Sequence, residues 1–294
     1  MLDKGTSINE KLIGLIQKSA IFFGMVFLLV AVVIYCHELS KTNSKPNNLA
    51  DRGQILFSVD DASEIFLDIY SQNPESIFDN ETLNHLSKFH ETYDMDVILY
   101  VYEIYDGFNL KSFPMKYKKE FQDNSDWLRI GFHGLNECNP FEGEYSDDEI
   151  YESFLRVNSD IAIWAGKESI SDMLRLHYWY GTFKLINNMA GKGVKSIFYI
   201  DRDDQCGYDF SKEEDSCLRS SDNGIVRKSY PNGTIDYLLT DIRLENESNV
   251  LCRLRDSDEL IVVFTHAWCF DENIQKLDDV CKWGKKHGYS LNYF

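Results

Sequence analysis

Two adjacent aspartates end an apolar run near the beginning of the sequence. The stretch ILFSVDD places Asp60 and Asp61 directly after residues 55–59. Because side chains alternate on a strand, the two carboxylates of an extended chain cannot face the same way. Such a pair can divide two tasks, one carboxylate binding a divalent cation and the other taking a proton from water. A polar turn is the alternative that the pair alone leaves open.

Further apolar runs also end at residues that can bind a metal or transfer a proton. The run LRIGF is followed by a histidine, with Glu137 four residues later, and Arg175 lies inside the run LRL. Imidazole and carboxylate groups are the usual ligands of divalent metals and the usual acid–base groups of enzymes. Five apolar runs that end at such residues are more than we expect by chance in one chain. Besides the aspartate pair, the residues at these exits are His133, His177, Asp241 and His266.

The elements that must position these residues alternate along the chain. Strand-like runs such as ILFSV, DVILYVYEI, VKSIFYI and ELIVVFT are separated by segments with helical spacing, including ETLNHLSKFHETY and ENIQKLDDVCKWGKKHG. This alternation predicts an α/β fold with parallel strands. About seven strand–helix units, without a glycine-rich loop after the first strand, favour a (β/α)7 TIM-like barrel over a doubly wound sheet. The carboxyl ends of barrel strands meet at one face, which would gather the residues above.

Four segments of the sequence, taken in order, resemble one known family. FSVDDA, GFHGLNE, LRLHYWYG and VVFTHAW are similar to motifs of the polysaccharide deacetylase superfamily, the NodB-homology carbohydrate esterases, with this chain a divergent member. The resemblance extends from about residue 52 to residue 294. It implies a distorted (β/α)7 barrel of NodB-homology type that binds one divalent metal and removes acetyl groups from N- or O-acetylated sugars.

The resemblance also implies a metal site. Asp60 matches the family's catalytic base, Asp61 its metal-binding aspartate, and His133 the first histidine of the H-x-x-x-H motif. The second histidine of that motif is replaced by Glu137. We therefore predict a site of Asp61, His133 and Glu137 that leaves one position open for water. Zn²⁺ is the first expectation, and Mn²⁺, Co²⁺, Ni²⁺ and Mg²⁺ are compatible with two carboxylates.

Three further matches complete the implied catalytic set. Arg175 resembles the arginine of the family's third motif, which would hold Asp60 ionised and aimed. Asp241 resembles the aspartate that steadies this arginine. His266 matches the late histidine that acts as general acid, although the aspartate that usually follows it is Ala267 here.

Aromatic and imidazole groups near these motifs are candidates for substrate binding. Tyr178 and Trp268 offer flat apolar faces of the kind that pack on pyranose rings, and both also fit a role in the core. His177 is predicted as a substrate contact, with two alternatives open: a substitute metal ligand and a buried member of an aromatic cluster.

The N-terminal segment differs from the rest of the chain. The stretch AIFFGMVFLLVAVVIYC carries no charge and, with the residues before it, reaches the length that spans a bilayer. We predict a tail at 1–18, a transmembrane anchor at 19–36, a linker at 37–53 and the catalytic barrel at 54–294. A cleaved signal peptide and a buried helix are the alternatives. The short N-terminal tail favours an extracytoplasmic barrel, although the flanking lysines orient the span only weakly.

The charge and cysteine content limit the partners. A formal net charge of −18 argues against nucleic acid, whose phosphates the chain would repel. The expected partners are an acetylated polysaccharide or glycan and a membrane that holds the anchor. Cysteines outside the anchor permit disulfides without specifying a pairing.

Three functions follow from these residues. The leading prediction is a metal-dependent deacetylase with a metal-activated water as nucleophile, Asp60 as base and His266 as acid. The change to Glu137 leaves open a catalytically impaired relative that acts as a carbohydrate-binding module. A glycoside hydrolase with two carboxylates across the scissile bond is the third, disfavoured because Asp60 and Asp61 are adjacent.

Overall fold

The structure is a computed structural model that describes residues 53–143, 145–202 and 205–292. The described residues belong to one unit of the chain, residues 51–294. The predicted anchor and all of the linker except its last residue lie outside them. Within the described ranges, no helix has the length and apolar composition needed to cross a bilayer. Of the cysteines in the same ranges, Cys206, Cys217, Cys252, Cys269 and Cys281 form no disulfide.

Strands and helices alternate along this unit, as the hydrophobic pattern predicts. The strands are β1 (Gly53–Asp60), β2 (Val97–Tyr102), β3 (Ile104–Tyr105), β4 (Phe108–Asn109), β5 (Leu128–Gly134), β6 (Met173–Leu174), β7 (Ser196–Phe198), β8 (Ile225–Tyr230), β9 (Gly233–Leu238), β10 (Ile242–Arg243), β11 (Leu260–His266) and β12 (Tyr289–Ser290). The helices are α1 (Ser63–Gln72), α2 (Glu81–Tyr93), α3 (Lys118–Asp123), α4 (Asp147–Trp164), α5 (Phe183–Ala190), α6 (Lys212–Arg219) and α7 (Phe270–His287).

The strands form two main sheets. One has the order β10-β11-β1-β2-β5, with β12 also paired to β1, and all of its pairings are parallel. The other has the order β6-β7-β9-β8, in which only the β8–β9 pair is antiparallel. An isolated parallel bridge joins Ile130 to Ile170, between β5 and β6. The predicted parallel α/β fold is confirmed, and closure of these strands into one barrel stays a prediction.

Alternation along the strands separates an outer core from an inner one. In β1, Ile55, Phe57 and Val59 belong to the large cluster that packs against the helices. The intervening Leu56 belongs to a smaller cluster. This inner cluster takes residues from both sheets, so the sheets share a common interior. Its buried members are Leu56, Ile98, Tyr100, Phe198, Leu238 and Val262.

The inner face becomes polar toward the carboxyl ends of the strands. The inward positions that follow Leu56 in β1 are Ser58 and Asp60, both buried. His133 ends the inward series of β5, and His266 that of β11. Apolar side chains therefore fill the interior near the amino ends of the strands. Groups able to transfer protons or bind a metal occupy it near the carboxyl ends.

Gly131 gives a test of how tightly the inner core is packed. Gly131 pairs with Tyr100 across β2 and β5, and a Cβ at this position would lie 2.5 Å from Tyr100 Cε1. We expect Gly131→Ala to lower the free energy of unfolding by about 1–3 kcal/mol, because the ring must leave its position. Urea denaturation measures this change. In a Tyr100→Leu background the cost should fall, and an equal cost in both backgrounds would contradict the packing argument.

Candidate active site

Both aspartates of the DD pair line one cleft at the carboxyl ends of the strands. Asp60 is the last residue of β1 and lies opposite His266 of β11 in the parallel register. Asp61 has φ 54°, a left-handed conformation that aspartate tolerates, so the chain leaves the strand direction at this residue. The alternation that would separate the two carboxylates ends there. The cleft has a volume of about 240 Å³ and also includes His133, Arg175 and His177 in its lining.

Three side chains of this cleft place potential metal donors together. One ligand atom each from Asp61, His133 and His177 lie within 4.8 Å of one another. The Nε2 atom of His133 lies 3.3 Å from Asp61 Oδ1 and 3.3 Å from His177 Nδ1. One carboxylate and two imidazoles make a donor set suited to Zn²⁺ and other first-row divalent metals.

The outer nitrogens of both histidines are turned to main-chain carbonyls. His133 Nδ1 lies 2.6 Å from the carbonyl oxygen of Arg175, and His177 Nε2 lies 3.2 Å from that of Glu137. A neutral imidazole has one ring proton, so donation to each carbonyl leaves the inner nitrogen with its lone pair. Histidines that bind a metal through one ring nitrogen usually make such a hydrogen bond through the other. The arrangement fits a divalent cation held by the inner atoms.

The electrostatics of the three residues also favour a positive charge between them. Burial, together with the charge on His133, lowers the pKa of His177 to about 3, which keeps this imidazole neutral. Burial alone would raise the pKa of Asp61, but the hydrogen bond and charge of His133 hold it well below its usual range. Burial would lower the pKa of His133, yet the bond to Asp61 and the charge of Asp60 raise it. The carboxylates of Asp60 and Asp61 thus attract a positive charge, which is either a proton on His133 or a metal ion.

The structure differs from the sequence analysis at Glu137. Its side chain is exposed and does not belong to the group of three donors, where His177 takes the third place. A spacing of four residues makes two side chains neighbours in a helix, whereas in an extended chain it separates them by about 13 Å. Here β5 ends at Gly134 and the chain continues as an irregular bend, so Glu137 contributes its main-chain carbonyl instead.

Asp60 and Arg175 form a buried ion pair beside the metal donors. The Nε atom of Arg175 lies 3.3 Å from Asp60 Oδ1, and both side chains are almost fully buried. The guanidinium packs over the rings of Phe264, at 4.1 Å, and Phe198, at 4.9 Å. Burial raises the pKa of Asp60, against the opposing charges of Arg175 and His133. A carboxylate with a raised pKa is a better proton acceptor near neutral pH.

Asp241 does not steady Arg175 as the resemblance implies. Its Oδ2 accepts a hydrogen bond from the Val262 N–H at 2.7 Å. The Nη1 atom of Arg175 donates instead to Thr240 Oγ1 at 3.0 Å. The buried Thr240 reaches Arg175, and Asp241 lines a separate cleft, so the predicted residue is one position away from the one in contact.

His266 is held by a carboxylate that the sequence analysis missed. Its Nδ1 hydrogen-bonds to Glu245, which also accepts from Arg243 Nε at 2.8 Å and from Thr265 Oγ1 at 3.0 Å. Burial raises the pKa of Glu245, but His266 and Arg243 outweigh it and lower the pKa to about 2. Position 267, where the resemblance implies an aspartate, is Ala267, and the carboxylate that contacts His266 is that of Glu245. The sequence gives little reason to select Glu245, since it is marked only by its position two residues after Arg243.

Two exposed aromatic side chains stand at the rim of the cleft. Trp268 is 60% exposed and stacks on His266 with ring centroids 5.4 Å apart. Tyr178 is 45% exposed and follows His177 in a turn where Tyr178 and Trp179 have φ of 52° and 55°. This turn ends the strand-like run LRLHYWY early and places His177 at the cleft. Substrate binding by the two aromatic residues stays a prediction.

Arg202, which packs over Trp179, also lines the cleft, and the sequence did not indicate it.

Comparisons with known proteins find similar structures but no sequence relatives. No family model and no curated protein matches the chain. A proposed polysaccharide deacetylase of O-antigen biosynthesis from Bordetella bronchiseptica is 12% identical, with 81% of each chain covered and a TM-score of 0.43. A CE4 esterase from Streptococcus mutans is 11% identical, with 81% of this chain and 84% of that chain covered and a TM-score of 0.44.

A CE4 family pseudoenzyme from Bacillus anthracis is also similar. It is 11% identical, with 84% of this chain and 64% of that chain covered and a TM-score of 0.37. The neighbours thus bear the name of the family that the motifs resemble. At these identities and TM-scores, a functional conclusion depends on the geometry of the site itself.

Asp241 gives a test of the electrostatics next to the site. Burial raises its pKa from 3.8 to about 7, so the folded state binds a proton that the unfolded state releases. Stability should therefore fall as the pH rises from about 4 to about 7. Asp241→Asn should remove this dependence, since an amide oxygen can still accept from Val262. We expect the variant to gain stability over the wild type with rising pH in urea titrations. The exposed Asp222→Asn is the control, and parallel curves for wild type and Asp241→Asn would refute the assignment.

Proposed function

We propose that the chain is a metal-dependent carbohydrate deacetylase that removes N- or O-acetyl groups from a polysaccharide or glycan. One observation carries the proposal. A set of three metal donors, a buried Asp60–Arg175 pair and a His266–Glu245 pair line or adjoin the same cleft. Metal-assisted hydrolysis of an acyl group needs these three parts: a metal site, a base and an acid.

Asp61, His133 and His177 would hold the metal. A bound divalent cation supplies an activated water and polarises the acetyl carbonyl. The main-chain carbonyls of Arg175 and Glu137 keep the two imidazoles turned inward. Zn²⁺ is the first candidate for this donor set, and Co²⁺, Mn²⁺ and Ni²⁺ are compatible with it. The replacement of Glu137 by His177 makes the site softer, which disfavours Mg²⁺.

Asp60 is the proposed base. Its carboxylate lines the cleft beside the donors without belonging to their group, so it is free to accept a proton from water. The ion pair with Arg175 fixes its direction, and burial keeps its pKa raised. Arg175 is itself fixed by Thr240 and by the two phenylalanine rings against which it packs.

His266 is the proposed acid. Glu245 binds its Nδ1, which leaves the proton on Nε2 as the one to deliver to the departing sugar nitrogen or oxygen. The pKa of Glu245 is lowered, so a charged carboxylate holds the imidazole ring of His266 in place. Arg243 and Thr265 hold the glutamate in place.

The substrate and its location are inferred from the rim and from the N-terminal sequence. Trp268 and Tyr178 offer aromatic faces for the apolar side of a sugar ring. The anchor at 19–36 would hold the domain at a membrane, outside the cytoplasm, where a surface polysaccharide is accessible. Closure of the two sheets into a distorted (β/α)7 barrel belongs to the same proposal.

The metal content of two variants tests whether His177 or Glu137 is the third metal ligand. We expect His177→Ala to weaken Zn²⁺ binding by more than about 100-fold, because loss of a second-shell partner alone costs 10–100-fold. Glu137→Gln should retain metal, because only the main-chain carbonyl of this residue contacts the site. Elemental analysis of the purified full-length chain and titration against a chelator measure both. Metal retained in His177→Ala but lost in Glu137→Gln would reverse the assignment.

Acetate release tests the base. We expect Asp60→Asn to reduce the release of acetate from N-acetylated or O-acetylated oligosaccharides by about 10²–10⁴-fold. Its metal content should equal that of the wild type, whereas Asp61→Asn should lose metal as well as activity. Wild-type protein that binds these oligosaccharides and releases no acetate would indicate a binding module instead of an enzyme.

A further inference from the structure

Tyr102 is a buried residue to which the proposed function gives no role. It is the last residue of β2 and is 1% exposed. Its N–H donates to Ser63 Oγ at 2.7 Å, which ties the end of the strand to the start of α1. Tyr105 stacks parallel to its ring, with centroids 6.4 Å apart. The side chain is therefore held on several sides.

The hydroxyl of Tyr102 lies between two of the three metal donors. It is 2.5 Å from Asp61 Oδ1 and 2.8 Å from His177 Nδ1. The ring meets His177 edge-on, with centroids 5.0 Å apart, and lies 5.1 Å from the His133 ring. One buried phenol thus contacts all three donor residues.

The number of protons determines what this hydroxyl can do. A phenol has one proton, and both of its close neighbours, a carboxylate oxygen and the inner nitrogen of His177, are acceptors. The outer nitrogen of His177, Nε2, lies 3.2 Å from the carbonyl oxygen of Glu137 and donates its proton there. Because a hydrogen bond to a charged carboxylate is the stronger one, the phenol proton belongs to Asp61. The lone pair of His177 Nδ1 then stays available to a cation.

We propose that Tyr102 is a positioning residue of the metal centre, an inference that rests on the proposed function. Its hydroxyl donates to Asp61 Oδ1 and fixes the orientation of this carboxylate, while its ring supports the two imidazoles. A carboxylate oxygen has two lone pairs, so Asp61 can accept this hydrogen bond and bind a metal at once. Tyr102 thereby prepares the donor set before the metal arrives.

The test compares metal affinity in two variants that each lose one buried hydroxyl from β2. Tyr102→Phe removes the hydroxyl at the donors. Tyr100→Phe is the matched control, because Tyr100 faces the same interior but donates to the main-chain carbonyl of Met173 at 3.0 Å. We expect the Kd for Zn²⁺, measured on the full-length chain by competition with a chromophoric chelator, to rise about 10–100-fold in Tyr102→Phe. Tyr100→Phe should keep the wild-type value. Thermal unfolding in EDTA reports whether each variant folds.

The outcomes separate this inference from the proposed function. An unchanged Kd in Tyr102→Phe, with metal bound normally by the wild type, would overturn the role of Tyr102 alone. Equal losses of affinity in both variants would show a general structural effect and also overturn it. A wild type that binds no Zn²⁺ would overturn both proposals. If the Fe³⁺-loaded wild type has a phenolate charge-transfer band that Tyr102→Phe lacks, Tyr102 is a ligand and the positioning role is wrong.

Discussion

The burial of two adjacent carboxylates at the end of β1 is the constraint on which the site depends. Asp60 is almost fully enclosed, and the side chain of Asp61 is largely so. Charges removed from water are destabilising unless opposite charges or hydrogen bonds surround them. Arg175 supplies the charge for Asp60, and His133 and Tyr102 bind Asp61. A divalent cation between Asp61 and the two imidazoles would complete this compensation, so the contacts that arrange the two carboxylates also allow them to be buried in the fold.

The sequence predicts the scaffold of this site better than its contacts. Alternating strands and helices predict the parallel α/β fold, and polar residues at strand ends identify Asp60, His133 and His266 as side chains of one region. These predictions need only the period of each element and the rule that parallel strands end at one edge. They are insensitive to the exact path of the loops.

Three contacts depend on loop geometry that no local pattern reveals. Glu137 has the spacing of a ligand, but the bend after β5 turns only its carbonyl to the site. His177 reaches the donors because two residues after it adopt left-handed conformations. Glu245, 21 residues earlier in the chain, reaches His266 from the segment that follows β10, the neighbour of β11. Because every residue has a main-chain carbonyl, the hydrogen bond at position 137 requires no particular side chain there.

Arg175 connects the two halves of the site. Its carbonyl oxygen accepts from His133 Nδ1, and its guanidinium pairs with Asp60 and donates to Thr240. One residue therefore contacts the imidazole of His133 through its main chain and the carboxylate of Asp60, the proposed base, through its side chain. Because the backbone of Arg175 is continuous with that of His177, two residues later, a shift of this segment would move three things together: the ion-pair partner of Asp60, the side chain of His177 and the carbonyl that His133 contacts. The site is thus arranged around the short segment that follows β6, although that segment has the least regular secondary structure of the elements that build it.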